Sequence, residues 1–262
     1  MMKKIMLSLL RPRRFPGKYR LLHWICPTAG EETIELFGYK IRLDLGDFIQ
    51  RCMYLNVYEQ RESSLIKGYL QPGMTFVDAG ANVGYYTLMA ASLVGPEGAV
   101  FAFEPSPYAF GRLIETVQNN PIPQVRAFQA GLSDVSGRAR LYMQREAGRH
   151  TPGMIPHEGR DPIDVSVDTL DRFLAANGVE HVDLLKIDVE GFEPNVIRGA
   201  EGSMRRGKIR SILCEFNRYE LGMNNSSTLH LYQTFVRHGY RTVGKAFDPD
   251  SGYQNLLFIL AR

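Results

Sequence analysis

From residue 57 onward, short continuous apolar runs alternate with longer segments in which apolar residues recur at helical spacing. The runs occupy residues 75–78, 99–104, 124–130, 182–188 and 209–216. A continuous apolar run bounded by turn residues is typical of a strand that is buried on both faces. The alternation therefore predicts an α/β fold, with a parallel sheet covered by helices on both sides.

The remaining pattern predicts the connecting elements. Helices are expected at residues 57–70, 85–94, 107–119, 169–177, 193–200 and 228–238. Residues 240–244 and 254–260 read as two closing strands joined by a turn that contains Pro249 and Gly252. Two further strands are expected at 137–143 and 163–167. The loop between them, residues 145–162, has a length that is typical of lids and binding loops.

The first 56 residues show a different pattern, which predicts an extension made of a helix and a hairpin. Residues 33–37 and 40–45 alternate apolar and polar positions around Gly38-Tyr39, as hairpin strands do. The apolar run that ends at Leu10 has about six residues, fewer than the roughly 7–15 of a secretory signal. We therefore expect a cap on a main domain of residues 57–262. The basic residues of this cap, which include Arg11, Arg13 and Arg14, are expected to face solvent. The alternative is that they transiently contact an anionic membrane surface.

Composition narrows the picture only slightly. The length of 262 residues suits one large α/β domain with an extension, and no run approaches the ~20 apolar residues of a membrane span. A net charge of +3 gives no argument for a nucleic-acid partner. Three widely spaced cysteines indicate neither a disulfide framework nor a zinc site and fit a reducing cytoplasm. The sequence leaves a homodimer open.

Acidic residues end four of the predicted core strands. They are Asp78, Glu104, Asp188 and Glu215. The carboxyl ends of parallel strands share one edge of a sheet, so these side chains are expected to line one rim, where such folds bind ligands. Because clustered carboxylates are costly to bury alone, the ligand should carry positive charge or many hydrogen-bond donors.

The glycine-bracketed turn after the first core strand narrows the ligand class. Gly80 and Gly84 bracket the turn, but their spacing lacks the third glycine of a dinucleotide fingerprint. Asp78 would also lie beside a pyrophosphate, which is unfavourable. S-adenosylmethionine fits better: Asp78 suits its ammonium, and the turn amides with the Asn82 side chain suit its carboxylate. An NAD-dependent oxidoreductase is the alternative.

Two later segments complete the predicted cofactor site. Glu104 follows Asp78 by 26 residues and can accept hydrogen bonds from both ribose hydroxyls, with Ser106 in the same segment. Ser133 and Asp134 follow the third strand and could bond the exocyclic amine of adenine. The alternative for Asp134 is an ordinary turn residue.

Five motifs occur in order along the chain. They are VDAGANVGYY at 77–86, FEPS at 103–106, GLSD at 131–134, TLD at 169–171 and LKIDVEG at 185–191. Together they resemble the FkbM family of methyltransferases over roughly residues 55–260. The resemblance implies a class I methyltransferase fold, a Rossmann-like seven-stranded sheet that is mostly parallel with an antiparallel last strand. It also implies methyl transfer, typically to oxygen, on sugars, natural products of polyketide type or related small molecules.

The catalytic residues are expected at the ends of the fourth and fifth core strands. We expect Asp188 to be the base or to orient the acceptor hydroxyl, with Glu190 and Glu215 shaping its charge. The alternative for Glu190 is a helix cap. No metal is assigned, but Asp188 and Glu215, with Asn217, are the candidate ligands if Mg²⁺ takes part.

Contacts to the acceptor are less clearly marked. His150 and His157 in the long loop, Tyr219 and the 224–227 loop are candidates. A non-catalytic protein that binds the cofactor is the alternative from another functional class.

Overall fold

The computed structural model describes residues 26–143 and 161–261. The predicted N-terminal helix, most of the long loop, and His150 and His157 within it lie outside these residues. In the described chain no helix is long and apolar enough to cross a membrane.

The described elements follow the predicted alternation. The strands are β1 (Glu31–Leu36), β2 (Tyr39–Asp44), β3 (Thr75–Ala79), β4 (Ala99–Phe103), β5 (Val125–Phe128), β6 (Gly131–Leu132), β7 (Gly137–Met143), β8 (Asp161–Asp168), β9 (Val182–Ile187), β10 (Ile209–Asn217), β11 (Tyr240–Val243) and β12 (Tyr253–Leu260). The helices are α1 (Phe48–Tyr54), α2 (Gln60–Tyr69), α3 (Tyr85–Val94), α4 (Pro107–Gln118), α5 (Leu170–Ala176), α6 (Glu193–Arg198), α7 (Glu201–Arg205), α8 (Arg218–Met223) and α9 (Thr228–Arg237).

The main sheet has seven strands in the order β11-β12-β10-β9-β3-β4-β5. The pairs from β10 through β5 are parallel, whereas β12 runs antiparallel to both β10 and β11. This confirms the predicted mostly parallel sheet with an antiparallel final strand. A smaller sheet pairs β7 antiparallel to β8, as expected for the two extra strands.

Successive residues of the central strands point to opposite faces of the sheet. On β3, Phe76 packs into the cluster that contains α3 and the hairpin residues Ile41 and Leu43. The next residue, Val77, packs into the other cluster, with Leu174 of α5 and Val196 of α6. The hairpin therefore shares a core with the main sheet. The domain boundary at residue 56 stays a prediction.

Several local features differ from the sequence expectation, among them helix α8 and the short strand β6, which were not predicted. The β1–β2 turn lies at Phe37-Gly38, one residue earlier than predicted, with both residues at positive φ (57° and 85°) as in a type I′ turn. Helix α1 was not predicted; its N-cap Asp47 accepts a hydrogen bond from the Gln50 N–H at 2.8 Å. Helix α7 was also missed.

The TLD motif explains how α7 is held. Asp171 accepts hydrogen bonds from the N–H groups of Gly202 (2.7 Å) and Ser203 (2.6 Å), so its carboxylate caps the start of α7 from α5. We expect Asp171→Ala to lower the free energy of unfolding by about 1–2 kcal/mol, because two helix N–H groups lose their acceptor. Urea unfolding measures this. Glu180→Ala, at an exposed site, is the control, and equal midpoints for the two variants would contradict the capping role.

Candidate active site

A cavity of about 220 Å³ opens at the carboxyl ends of β3, β4, β9 and β10. This is the edge at which the sequence placed the ligand. Its lining includes Tyr58, Glu59, Gly80, Asn82, Tyr86, Glu104, Lys186, Asp188, Glu190 and Glu215. Of the predicted site residues, the structure therefore brings Gly80, Asn82, Glu104 and the three expected catalytic acids to one cavity.

The β3–α3 turn has the left-handed backbone that its sequence predicts. Gly80, Asn82 and Gly84 have φ values of 82°, 51° and 98°. Gly80 and Asn82 line the cavity, whereas Gly84 packs close to Leu113 of α4. Gly84 therefore brings the turn against the neighbouring helix.

The N–H groups of this turn are already used within the protein. Those of Gly80 and Ala81 both donate to the Phe103 carbonyl at 3.0 Å. The Asn82 N–H donates to Glu104 Oε2 at 2.9 Å. The Gly84 N–H donates to the Ala81 carbonyl at 2.9 Å. These amides, which the sequence assigned to a cofactor carboxylate, instead fix the shape of the turn.

Glu104 is a buried carboxylate on the cavity wall. Its Oε1 accepts from the Ser106 N–H at 2.8 Å, while Oε2 accepts from Asn82. Burial raises the pKa of Glu104 to about 7, although the two backbone hydrogen bonds oppose the shift. Each carboxylate oxygen can accept a second hydrogen bond. Ser106 does not line the cavity but caps α4, accepting from the Ala109 N–H.

Asp78 lies beneath the cavity and is not among its lining residues. It is completely buried, and its Oδ2 accepts from the Thr87 hydroxyl at 2.8 Å. Its Oδ1 lies 4.0 Å from the Lys186 ammonium and has no hydrogen-bond partner in the described chain. Burial raises the pKa of Asp78, and Lys186 and Thr87 oppose the shift. The predicted contact of Asp78 with a cofactor ammonium stays a prediction.

Lys186 is a buried cation that sequence reasoning passed over. Its Nζ donates to Asp188 Oδ2 at 2.9 Å and lies 4.8 Å from the centre of the Tyr86 ring. Burial alone would lower the pKa of Lys186, but the carboxylates of Asp188, Asp78 and Glu59 outweigh it and raise the pKa. The available signal was a lysine inside a buried strand, which requires an acidic partner.

Glu59 is a second residue that the sequence did not indicate. It precedes α2 with a left-handed backbone (φ 34°) and accepts a hydrogen bond from the Tyr86 hydroxyl. Burial and the nearby Asp188 carboxylate raise the pKa of Glu59 to about 7. No spacing rule in the sequence brings residue 59 to the ends of the strands.

The loop after β9 is shaped by Glu193. Its Oε1 accepts from the N–H groups of Val189 and Gly191, both at 3.1 Å, across the left-handed Glu190-Gly191 pair. The N-cap of α6 is Phe192. Glu190 lines the cavity, as expected for one of the predicted catalytic acids. Asn224 supports the same loop, donating to the Gly191 carbonyl at 3.0 Å.

Glu215 faces the cavity from the end of β10 and is 6% exposed. Burial, together with the Asp188 and Glu190 carboxylates, raises the pKa of Glu215 well above its usual range. Burial and the neighbouring carboxylates therefore favour the protonated, neutral form of Glu215. A neutral carboxylic acid can donate a hydrogen bond but does not add charge next to Asp188.

Ser133 and Asp134 lie outside the cavity lining. Asp134 accepts hydrogen bonds from Asn195 (3.2 Å), Arg198 (3.1 Å) and Ser133 (3.1 Å). Burial would raise its pKa, but these bonds outweigh it and lower the pKa of Asp134. The residues of this segment that line the cavity are Gly131 and Leu132.

The predicted alternative ligands for Mg²⁺ are not grouped as a metal site. Within residues 26–143 and 161–261, no three His, Cys, Asp or Glu side chains are placed to hold a metal ion. Asn217 Oδ1 accepts from the Tyr219 and Glu220 N–H groups and caps α8. The Tyr219 side chain is exposed.

Three known proteins to which the chain is similar are all named as methyltransferases. The chain is 30% identical to Methyltransferase sdnD of Sordaria araneosa over 48% of its length and 60% of that protein. It is 29% identical to 2-O-methyltransferase NoeI of Sinorhizobium fredii, over 64% of this chain and 71% of that one. It is 30% identical to 31-O-demethyl-FK506 methyltransferase FkbM of Streptomyces tacrolimicus, covering 56% and 66%. The chain thus spans about 60% of the length of the first of these relatives.

A solved methyltransferase FkbM from Methylobacillus flagellatus shares 15% identity and a TM-score of 0.47, over 81% of this chain and 55% of that one. The methyltransferase FkbM domain model matches residues 78–242. That range runs from the end of β3 to β11, which is more than half of the chain and includes the glycine turn and every predicted catalytic acid. The chain therefore belongs to the FkbM family of methyltransferases.

Proposed function

We propose that this protein transfers a methyl group from S-adenosylmethionine to a hydroxyl oxygen of a sugar or natural-product small molecule. The observation that carries the proposal is the acidic cavity at the carboxyl ends of the parallel strands. Of the described residues that line it, five are carboxylic acids and one is a lysine. The names of two relatives specify oxygen methylation, of a 2-O position in one and of an FK506 derivative in the other.

The residues present fit S-adenosylmethionine. Glu104 offers two carboxylate oxygens to the ribose hydroxyls. Gly131 and Leu132 give an apolar surface for adenine, next to the Ser133 and Asp134 positions that the sequence indicated. The excess of acids favours a ligand that carries ammonium and sulfonium charges. A dinucleotide, with its negative pyrophosphate, is disfavoured by the same charges.

When bound, S-adenosylmethionine supplies a methyl group on a positively charged sulfur, which makes the methyl open to in-line displacement. The protein must hold an acceptor hydroxyl in line with the methyl group and promote the loss of the hydroxyl proton. Asp188 suits this role: it lines the cavity and Lys186 fixes its carboxylate from one side. In its protonated form, which burial favours, Glu215 can donate a hydrogen bond to the acceptor from the neighbouring strand.

Two measurements test the proposal. We expect S-adenosylhomocysteine, but not NAD, to raise the melting temperature, since binding to the folded state alone stabilises it. Transfer of labelled methyl to a panel of hydroxylated sugars and macrolide-like acceptors then tests the reaction. Stabilisation by NAD alone would contradict the proposal, and methyl incorporation would exclude a non-catalytic role. A loss of activity on chelation that Mg²⁺ restores would assign a metal to Asp188 and Glu215.

The affinity for the nucleoside part should depend on pH through Glu104. Hydrogen bonds from the ribose hydroxyls favour the ionised carboxylate, and the pKa in the free protein is about 7. Above pH 7 the group is already ionised and affinity is full. Below pH 7 a proton must leave on binding, so affinity falls by about tenfold per pH unit.

Calorimetry with 5′-methylthioadenosine from pH 6 to 9 measures this dependence. That ligand has the ribose but lacks the amino-acid part, so it reports on the Glu104 end of the cavity. Glu104→Gln should bind weakly with a flat pH profile. An unchanged slope in the variant would assign the titration to another group.

A further inference from the structure

The amino-acid end of the cofactor requires a site for one carboxylate and one ammonium. Several of the groups that the sequence assigned to it are engaged elsewhere. The N–H groups of Gly80, Ala81 and Asn82 donate to protein acceptors, and Asp78, whose Oδ2 accepts from Thr87, is not among the residues that line the cavity. The Asn82 side chain stays on the cavity wall, and charged groups on the same wall are further candidates for this role.

Lys186 is the one basic side chain among the described residues that line the cavity. An ammonium group has three hydrogen-bond donors; within residues 26–143 and 161–261, Nζ donates to Asp188 and lies 4.0 Å from Asp78 Oδ1. The remaining donors can reach a ligand carboxylate. Because the lysine is 5% exposed and lies among carboxylates, it keeps its charge without solvent.

Glu59 and Lys186 both contact Tyr86. The Tyr86 hydroxyl donates to Glu59, while Lys186 Nζ lies 4.8 Å from the centre of the same ring. The tyrosine thus places one acid and one base side by side on the cavity wall. Glu59 lies outside the segment that matches the family model, so that match assigns it no role.

We propose that Lys186 and Glu59 form the subsite for the zwitterionic amino-acid end of the cofactor. Lys186 donates to the ligand carboxylate, and the Glu59 carboxylate accepts from the ligand ammonium. The inference rests on the proposed function, because it presupposes that the cavity binds S-adenosylmethionine.

The energetics of Glu59 support this assignment. Its ionised form is disfavoured in the free protein, since burial and Asp188 raise its pKa to about 7. A ligand ammonium in contact with it offsets this cost. The residue also holds a left-handed backbone with φ 34° and ψ 55°, which is uncommon for glutamate and is typical of positions fixed for binding.

Three ligands separate the two halves of the subsite. S-adenosylhomocysteine carries both the carboxylate and the ammonium, S-adenosyl-3-thiopropylamine keeps only the ammonium, and 5′-methylthioadenosine has neither. Calorimetry on the unmodified protein, Glu59→Gln, Lys186→Gln and the control Glu62→Gln measures all twelve affinities. Glu62 lies one turn further along α2 and is not part of the cavity lining.

We expect Glu59→Gln to weaken both amine-bearing ligands by about 10- to 100-fold, the usual contribution of a charge-assisted hydrogen bond. Lys186→Gln should weaken S-adenosylhomocysteine alone by a similar factor. Methylthioadenosine should bind all variants within about twofold of the unmodified protein. Glu62→Gln should leave all three affinities unchanged.

Equal losses for all three ligands, or no loss in Glu59→Gln, would overturn the subsite. If Lys186→Gln does not fold, the affinities of Glu59→Gln for the three ligands still test whether Glu59 binds the ligand ammonium. An unmodified protein that binds none of the three ligands would instead contradict the proposed function itself, so the two failures are distinguishable.

Discussion

Replacing Asp188 with asparagine is expected to lower methyl transfer by about 10²- to 10³-fold, the usual contribution of a group that handles a reacting proton. The asparagine side-chain oxygen can still accept from Lys186, which lies 2.9 Å from Asp188 Oδ2, and Asp78 remains beside the lysine. The fold should therefore be unchanged, and the affinity for S-adenosylhomocysteine should stay within about threefold of that of the unmodified protein. Labelled-methyl transfer and calorimetry give the two values.

The same experiment on Glu215 supplies the comparison. Burial and the neighbouring carboxylates favour the protonated form of Glu215, and glutamine preserves the charge and most of the shape of that form. Glu215→Gln should lose far less activity than Asp188→Asn. If Asp188→Asn keeps full turnover with intact cofactor binding, Asp188 does not handle the acceptor. If the two variants lose the same activity, the negative charge of Asp188 does not explain its contribution to methyl transfer.

The fold was predictable because its signals are local. Each core strand is a continuous apolar run, and parallel pairing follows from the intervening helices, so the edge that holds Gly80, Glu104 and Asp188 could be placed without coordinates. The short helices α1, α7 and α8 were missed because one or two turns give too few residues for a helical apolar pattern. Helix α7 depends in addition on a capping contact with Asp171, which is distant in sequence.

The cavity was predictable in position but not in detail. Sequence shows that an acid ends a strand, but not whether a helix covers it. Asp78 is closed off by α3, whereas Glu104 stays on the wall. Nor does sequence show that backbone amides of a turn are bonded within the protein. Glu59 reaches the site from a segment before the first core strand, and only tertiary packing brings it there.

The glycine turn itself should tolerate no side chain at its first position. A Cβ atom at Gly80 would lie 1.9 Å from the carbonyl oxygen of Asp188, and this residue has φ +82°. The clash is with backbone at the end of β9, so relief requires the two strand ends to separate. We expect Gly80→Ala to lower the free energy of unfolding by about 3 kcal/mol or more and to abolish binding of S-adenosylhomocysteine.

Gly73 provides a matched control for that substitution. Its φ of +83° is nearly the same, but a Cβ atom there would meet nothing within 4 Å. Gly73→Ala should therefore cost only the backbone strain, about 1–2 kcal/mol, and should leave cofactor affinity unchanged. The difference between the two urea unfolding curves isolates the contact between Gly80 and Asp188. If Gly80→Ala and Gly73→Ala lowered the free energy of unfolding equally, the turn could move away from β9. The cavity would then not depend on the close approach between Gly80 and Asp188.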